Sequence, residues 1–475
     1  MRLRTSHGKN EGAGSQRILA GKKTIMTPGI AKYFSARVPR YTSYPTAPHF
    51  SADVDAKRYE TWLSRIDPRS ELSLYLHVPF CRRMCWYCGC NMRVIARYSP
   101  VTSYVSAIIQ EIELVARLLP RGMAVRHIHW GGGTPTALAP EDMIRISETL
   151  QRQFNILGKT EIAVEIDPRT FTPENAVALG KIGCTRASLG VQEFDEKVQT
   201  AINRVQPVSM IESTLSLLRE QGVKGVNFDL MYGLPYQTVE TLRDTVEQAA
   251  RLGPDRIALF GYAHVPWMAK NQKMLPEEAL PTPLMRYEQA KVAGDALAGQ
   301  GYVKIGLDHF ARPEDTMAVA LREGRLHRNF QGYTDDAGGA IVGFGASAIS
   351  ALPEGFAQNI VETGAYARAV NSGALPIAKG VAFRGEDKLR GAIIERLMCD
   401  MEADLEDIRK QYAPERGDFR DEMTQLRGLE EEGLCKLEGS RVRVPDDARL
   451  ALRVVCSVFD AYLAQNAELR HAAAV

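Results

Sequence analysis

No apolar run in this 475-residue chain approaches the roughly 18 residues that a membrane-spanning helix needs. The longest candidates, 341–352 and 452–464, are broken by Gly, Ser or charge. The opening residues, MRLRTSHGKNEGAGSQ, have no apolar centre of the kind a secretory signal carries. Excess charge is also lacking: a net +2 gives no general pull toward nucleic acid or an anionic membrane. The expected location is therefore cytoplasmic, with neither membrane nor nucleic acid as a partner. In that reducing compartment, clustered cysteine means metal or catalysis more often than a disulfide.

Such a cluster is present. HVPFCRRMCWYCGCN, residues 77–91, holds four of the eight cysteines. Cys184, Cys399, Cys435 and Cys456 are scattered in apolar surroundings and read as ordinary buried thiols. The cluster spacing is Cys81-x-x-x-Cys85-x-x-Cys88, with Cys90 two positions on. Structural zinc prefers paired ligands with a second pair at a distance, and the chain has no second cysteine pair. A thioredoxin-type couple needs no third thiol. Three thiolates from one short loop suit a [4Fe–4S] cluster with its fourth iron left open.

Around this loop the chain alternates strand-like and helix-like segments. The runs 72–78, 125–131, 161–166, 187–192, 225–233, 256–265 and 302–310 read as strands. Amphipathic stretches such as 103–119 and 238–252 lie between them. This predicts an α/β fold, a whole or partial (β/α) barrel with a parallel sheet and chemistry at the C-terminal ends of the strands. Three parts are expected. Residues 1–55 form a basic arm, with six Lys/Arg and one acid in 1–26, followed by the extended segment PRYTSYPTAPHF. Residues 56–384 form the barrel. Residues 385–475 form a small, mostly helical, winged-helix-like cap whose mixed charge argues against DNA.

The three-cysteine loop after a first barrel strand resembles the radical S-adenosylmethionine (SAM) superfamily. Within it, PRYTSYPTA, LYLHVPFC…CGCN, HWGGGTPT, EIDPR, GVQEFD, NFDLMYGLP, YAH, DHFARP and HRNFQGYT occur in order. Together they resemble the oxygen-independent coproporphyrinogen III oxidases over about residues 30–465. Haem chaperones of the same branch share the cysteine loop and GGGTP. They characteristically lack a cysteine at the Cys90 position and the PRYTSYPTA segment, and this chain has both. A haem-binding chaperone, with His264, His309 or His327 as haem ligand, is the alternative reading.

The resemblance implies Cys81, Cys85 and Cys88 as iron ligands and Cys90 as important without ligating. It implies two SAM molecules. Tyr75, Gly132, Gly133, Thr134, Glu165 and Ile349 go with the first. Tyr87, Gln192, Arg204, Asp229 and Ala263 go with the second, where Gly133 and Thr134 also match. Tyr75, His77 and Cys90 are the candidates for a part in catalysis. The implied reaction takes a hydrogen from a propionate of coproporphyrinogen III with a 5′-deoxyadenosyl radical. The substrate radical then gives up one electron to an acceptor and loses CO2, leaving a vinyl group, and two such events give protoporphyrinogen IX in haem biosynthesis. A reducing donor such as flavodoxin or ferredoxin and a monomeric enzyme are expected. The substrate's carboxylates need cations, for which Arg40, Arg312 and Arg328 are candidates.

Overall fold

The computed structural model describes residues 29–34 and 36–463, so the basic arm expected over 1–26 lies outside the described residues. Its main sheet has twelve strands. Six of them, β1 (Leu72–Val78), β2 (Ala124–Gly132), β3 (Asn155–Ile166), β4 (Arg186–Gln192), β5 (Gly225–Tyr232) and β6 (Arg256–Gly261), lie side by side in chain order, all parallel. Beyond β6 come two short antiparallel strands, β7 (Val303–Ile305) at the edge and β8 (His309–Ala311) inside it. On the other flank, β9 (Ala340–Phe344) runs parallel to β1. It is followed outward by antiparallel β10 (Ile349–Leu352), β11 (Gly355–Asn359) and β12 (Ile377–Ala382). The outermost strands β12 and β7 do not pair, so the barrel is open.

Helices cross between the parallel strands: α1 (Ser99–Leu118), α2 (Pro140–Gln153), α3 (Pro173–Lys181), α4 (Val208–Glu220) and α5 (Val239–Leu252); α6 (Pro283–Gly299) follows β6. In α5 the buried Leu242, Val246, Ala249 and Ala250 recur at three- and four-residue spacing and make one apolar stripe. The Thr238 hydroxyl caps its first turn, and Gly253 ends it in the left-handed region (φ 71°).

In β4 and β5 the alternation sorts side chains by face. Ala187, Leu189, Val191, Val226, Phe228 and Leu230 join the apolar core. The residues between them, Ser188, Gly190, Gln192, Asn227 and Asp229, are only partly buried and occupy the opposite, barrel-lumen face. A polar lumen is thus written into the period of these strands. The stretch 302–310, expected as one strand, is instead β7 and β8 folded into a hairpin with Gly306 in the left-handed region (φ 51°).

The C-terminal region has its own core. The helix Asp387–Asp400 ends at left-handed Met401. A three-stranded sheet (Glu402–Asp404, Arg441–Arg443, Lys436–Glu438) packs with the helices Leu405–Tyr412, Arg420–Glu431 and Leu452–Ser457. Buried Leu389, Ile393, Leu397, Leu426 and Phe459 share this core with Ile30, Phe34, Val38, Tyr41 and Tyr44 of the N-terminal segment. The Tyr41 hydroxyl donates to Asp460 at 3.0 Å, and the Ala461 N–H donates to the Tyr44 oxygen at 3.0 Å. The two ends of the described chain are therefore tied to each other as well as to the barrel.

Candidate active site

The cysteine loop leaves β1 at the C-terminal mouth of the parallel strands and is held from several sides. Phe80–Cys81 pairs with Arg93–Val94 and closes its neck. Asn271 spreads its amide over three loop carbonyls, Cys85 (3.2 Å), Trp86 (3.1 Å) and Cys88 (2.8 Å). Gln272 donates to the Tyr87 carbonyl at 2.8 Å, and the Trp86 N–H donates to Ile202. The loop is fixed through its backbone, which leaves its thiols available.

Two guanidiniums converge on one of those thiols. Arg169 Nη2 donates to Cys85 Sγ at 3.0 Å and Arg204 Nη1 at 3.2 Å. Asp167 lies between them, 2.7 Å from Arg169 and 3.4 Å from Arg204. Burial alone would raise the Asp167 carboxyl, but the two arginines hold it down at about 2. The Thr134 hydroxyl is 3.5 Å from Cys81 Sγ. The Cys90 N–H donates to Cys88 Sγ at 3.4 Å, and hydrogen bonding from Cys90 pulls Cys88 down to about 7.

These residues fit an iron–sulfur cluster. Cys81, Cys85 and Cys88 are all free of disulfides and lie in one short loop, with two guanidiniums donating to Cys85 Sγ. Among the described residues no three His, Cys, Asp or Glu side chains are placed to share one metal ion. A zinc site needs ligands gathered about a single ion, whereas a cluster spreads its thiolates over separate irons.

Beside the loop, β1 and β2 deliver Tyr75, His77, His129 and the Gly131–Gly133 turn. His77 Nε2 faces the Asn91 carbonyl at 3.2 Å, which only accepts, so Nε2 carries the proton. The Tyr75 hydroxyl at 3.0 Å then donates to Nδ1. Burial lowers the His77 pKa and keeps the ring neutral. Tyr75 stacks on His129, ring centroids 5.9 Å apart. Glu165, at the end of β3, accepts from the Gly132 N–H and is paired with His129, both at 3.1 Å. Gly132 adopts φ 112°, and a Cβ there would lie 2.7 Å from His77 Cε1; only glycine allows this approach.

The lumen face of β4 and β5 adds a second group. Asn227 and Ser188 donate to the two oxygens of Asp229 at 2.9 and 3.3 Å. Burial, reinforced by the charge of Glu165, raises Asp229 to about 6. Gln192 is left-handed (φ 68°) beside a register shift at Gly190. Arg204 Nη2 donates to the Gly190 carbonyl at 2.6 Å, and a Cβ on Gly190 would collide with Arg204 and Gln192. Ala263 follows β6, its carbonyl taken by Gln272. Ile349 begins β10, with its carbonyl against Gly343, the register partner of Tyr75. Tyr87 packs on the apolar cluster of Val198, Ile202 and Tyr262. The expected site residues thus gather around the strand ends and the cysteine loop.

A cavity of about 850 Å3 opens next to them, lined by Cys90 and Ala263 and by Arg40, Arg286, Arg328 and Arg453. Of the three arginines expected to meet carboxylates, Arg40 and Arg328 border it. Arg312 does not. Its guanidinium lies 4.1 Å over the Tyr302 ring and donates to the Gln300 carbonyl.

Comparison with known proteins agrees with this geometry. The radical SAM superfamily matches residues 75–249. An oxygen-independent coproporphyrinogen III oxidase of Bradyrhizobium diazoefficiens is 48% identical, over 93% of this chain and 98% of its own length. The Escherichia coli enzyme of that name is 38% identical over 91% and 94%. This chain belongs to the oxygen-independent coproporphyrinogen III oxidase family. The solved coproporphyrinogen III oxidase of Escherichia coli, described as a radical SAM enzyme, superposes with a TM-score of 0.84 at 37% identity, over 89% of this chain and 98% of that one. The cofactors of this oxidase-family chain are accordingly a [4Fe–4S] cluster and SAM. Among the described residues no helix is long and apolar enough to cross a membrane.

Several residues of this family member escape sequence reasoning. Arg169 sits inside the EIDPR motif, and its arginine was the available signal. Asn271, Gln272, Arg286 and Arg453 carry no local signature. Of the histidines considered for haem, His264 has both ring nitrogens engaged, by Tyr262 and Glu277 at 2.8 Å each.

Proposed function

We propose that this chain acts as an oxygen-independent coproporphyrinogen III oxidase, converting two propionate arms of coproporphyrinogen III to vinyl groups with loss of CO2 and giving protoporphyrinogen IX. Cys81, Cys85 and Cys88 are the cluster ligands, and Cys90 stands beside them without ligating. When bound, the reduced cluster and SAM supply the 5′-deoxyadenosyl radical that takes a propionate hydrogen. Everything else is positioning by the chain's own residues. Arg169 and Arg204 both donate to the Cys85 sulfur and fix its position. Tyr75, Gly132, Gly133, Thr134, Glu165 and Ile349 receive one SAM. Tyr87, Gln192, Arg204, Asp229 and Ala263, with Gly133 and Thr134, receive a second. Neutral His77, locked between Asn91 and Tyr75, offers no free proton in this arrangement and orients the Tyr75 hydroxyl.

The observation that carries this reading is the shared chamber: Cys90, two residues from a cluster ligand, lines the same cavity as six arginines, Arg40, Arg286, Arg328 and Arg453 among them. A radical source and a polyanionic substrate belong in such a space together. The N-terminal segment and the C-terminal region cover it, and the enzyme works as a cytoplasmic monomer served by a reducing protein such as a flavodoxin or ferredoxin. The test is anaerobic. Reconstituted protein given SAM, reductant and coproporphyrinogen III releases CO2, 5′-deoxyadenosine and the divinyl product; haem binding without turnover contradicts the reading.

A further inference from the structure

The cations of the large cavity fall into two groups. At one part of its wall they are already neutralised: Lys291 and Lys304 face Asp295 at 3.5 and 3.4 Å, and Lys304 and Arg449 face Asp446 at 3.0 and 2.9 Å. Around Tyr232, Arg286 and Arg328 make no ion pair with any described residue. Arg286, in the first turn of α6, makes no side-chain hydrogen bond or ion pair with any described residue, and its Nε is buried without a partner. It lies over the Tyr232 ring at 5.7 Å and against Gly233, where a Cβ would sit 2.5 Å from Nη1. Arg328 donates Nε to the Tyr41 carbonyl at 3.3 Å and lies 4.4 Å over the Tyr333 ring, while its Nη1 is buried and unpartnered. Arg40 reaches only the Gly261 carbonyl, at 3.4 Å. Arg453, which donates Nη1 to the Val38 carbonyl at 3.4 Å, lines the same part of the cavity.

Asp308, which also lines this part of the cavity, is already engaged by His309 at 2.7 Å. The arginines feel one another: burial first, then the nearby Arg40 charge, lowers both Arg286 and Arg453, the latter to about 10. Guanidinium nitrogens that are buried without a partner, as in Arg286 and Arg328, are costly unless an anion from outside meets them. Guanidinium presents its donors as a planar fork that matches carboxylate.

We propose that Arg286 and Arg328, flanked by Arg40 and Arg453, anchor propionate carboxylates of the tetrapyrrole substrate. This rests on the function proposed above and assigns the substrate recognition that it requires. Arg286 is the sharper of the two anchors, since its guanidinium supports no other described part of the fold. Arg328 serves the Tyr41 backbone as well.

The test uses the anaerobically reconstituted full chain and coproporphyrin III, the stable fluorescent tetracarboxylate, with its tetramethyl ester as the uncharged probe. Arg286→Gln weakens coproporphyrin III binding about tenfold and leaves the ester unaffected. Arg286→Lys recovers part of the loss, and Arg312→Gln, outside the cavity, binds as wild type. In turnover, Arg286→Gln raises KM for coproporphyrinogen III more than it lowers kcat. Wild-type protein that turns over the substrate while Arg286→Gln binds coproporphyrin III unchanged, or that binds ester and acid equally, overturns the anchor and spares the proposed function. Wild-type protein that neither binds nor converts the tetrapyrrole overturns both.

Discussion

The cysteine loop, which reaches the cavity through Cys90, and the arginine-bearing wall of that cavity differ in how fully their polar groups are used. Around the cysteine loop most donors are committed within the protein, Arg204 Nε excepted. Arg169 alone serves Asp167, Cys85 and the Asn203 carbonyl, and its side chain is 2% exposed. On the arginine-bearing wall Arg286 and Arg328 keep buried nitrogens without partners. A metal cluster needs its ligands and their surroundings in place beforehand, and a satisfied network supplies that rigidity. A carboxylate-bearing substrate instead brings its own partners for the arginines, so that wall stays electrostatically incomplete until the substrate arrives.

The contrast is broken most severely at the loop itself. Cys85→Ser removes the sulfur on which both guanidiniums converge; anaerobic reconstitution then yields protein without its full iron and visible absorbance, and no turnover. Arg169→Gln comes next. It leaves Asp167 with Arg204 alone in a buried setting and costs about 3 kcal/mol in denaturant unfolding. Gly132→Ala forces a Cβ onto the His77 ring in a left-handed-side conformation, with about 2 kcal/mol lost and SAM binding weakened, read by thermal unfolding and calorimetry.

Asp229→Asn has the smallest effect and the clearest sign. Folding raises the Asp229 pKa from 3.8 to about 6, so its contribution is present below 3.8 and lost as pH rises through about 6. The asparagine variant escapes that loss. Its stability relative to wild type therefore improves across this window by on the order of 1–2 kcal/mol, measured by unfolding at a series of pH values. A flat difference would mean that Asp229 is not desolvated as described.

The committed wall was largely legible in the sequence because its signals are local. LSLYLHV forms β1 as expected, and the cysteine spacing lies in one loop at its end. Glu165, Gln192 and Asp229 stand at strand positions whose period of two decides their face. The waiting wall was legible only in part. Arg40 and Arg328 sit in recognisable motifs and line the cavity. Arg312 shares that kind of context, but it follows β8 and is captured by Tyr302. Arg286 and Arg453 meet only because α6 and the helix Leu452–Ser457 both pack near Tyr232, a tertiary outcome that no local pattern encodes. The same holds for Asn271, which reaches back 183 residues to the Cys88 carbonyl. The hairpin at 302–310 was missed because its apolar pattern continues through the turning Gly306.

The central claim is that one chamber is built from two separable walls. The most direct measurement is iron content and coproporphyrin III affinity, taken side by side on Cys85→Ser and Arg286→Gln. The account predicts opposite losses: Cys85→Ser loses iron yet binds the tetracarboxylate close to wild type, and Arg286→Gln keeps its iron and binds about tenfold more weakly. Loss of both properties in each variant would contradict it.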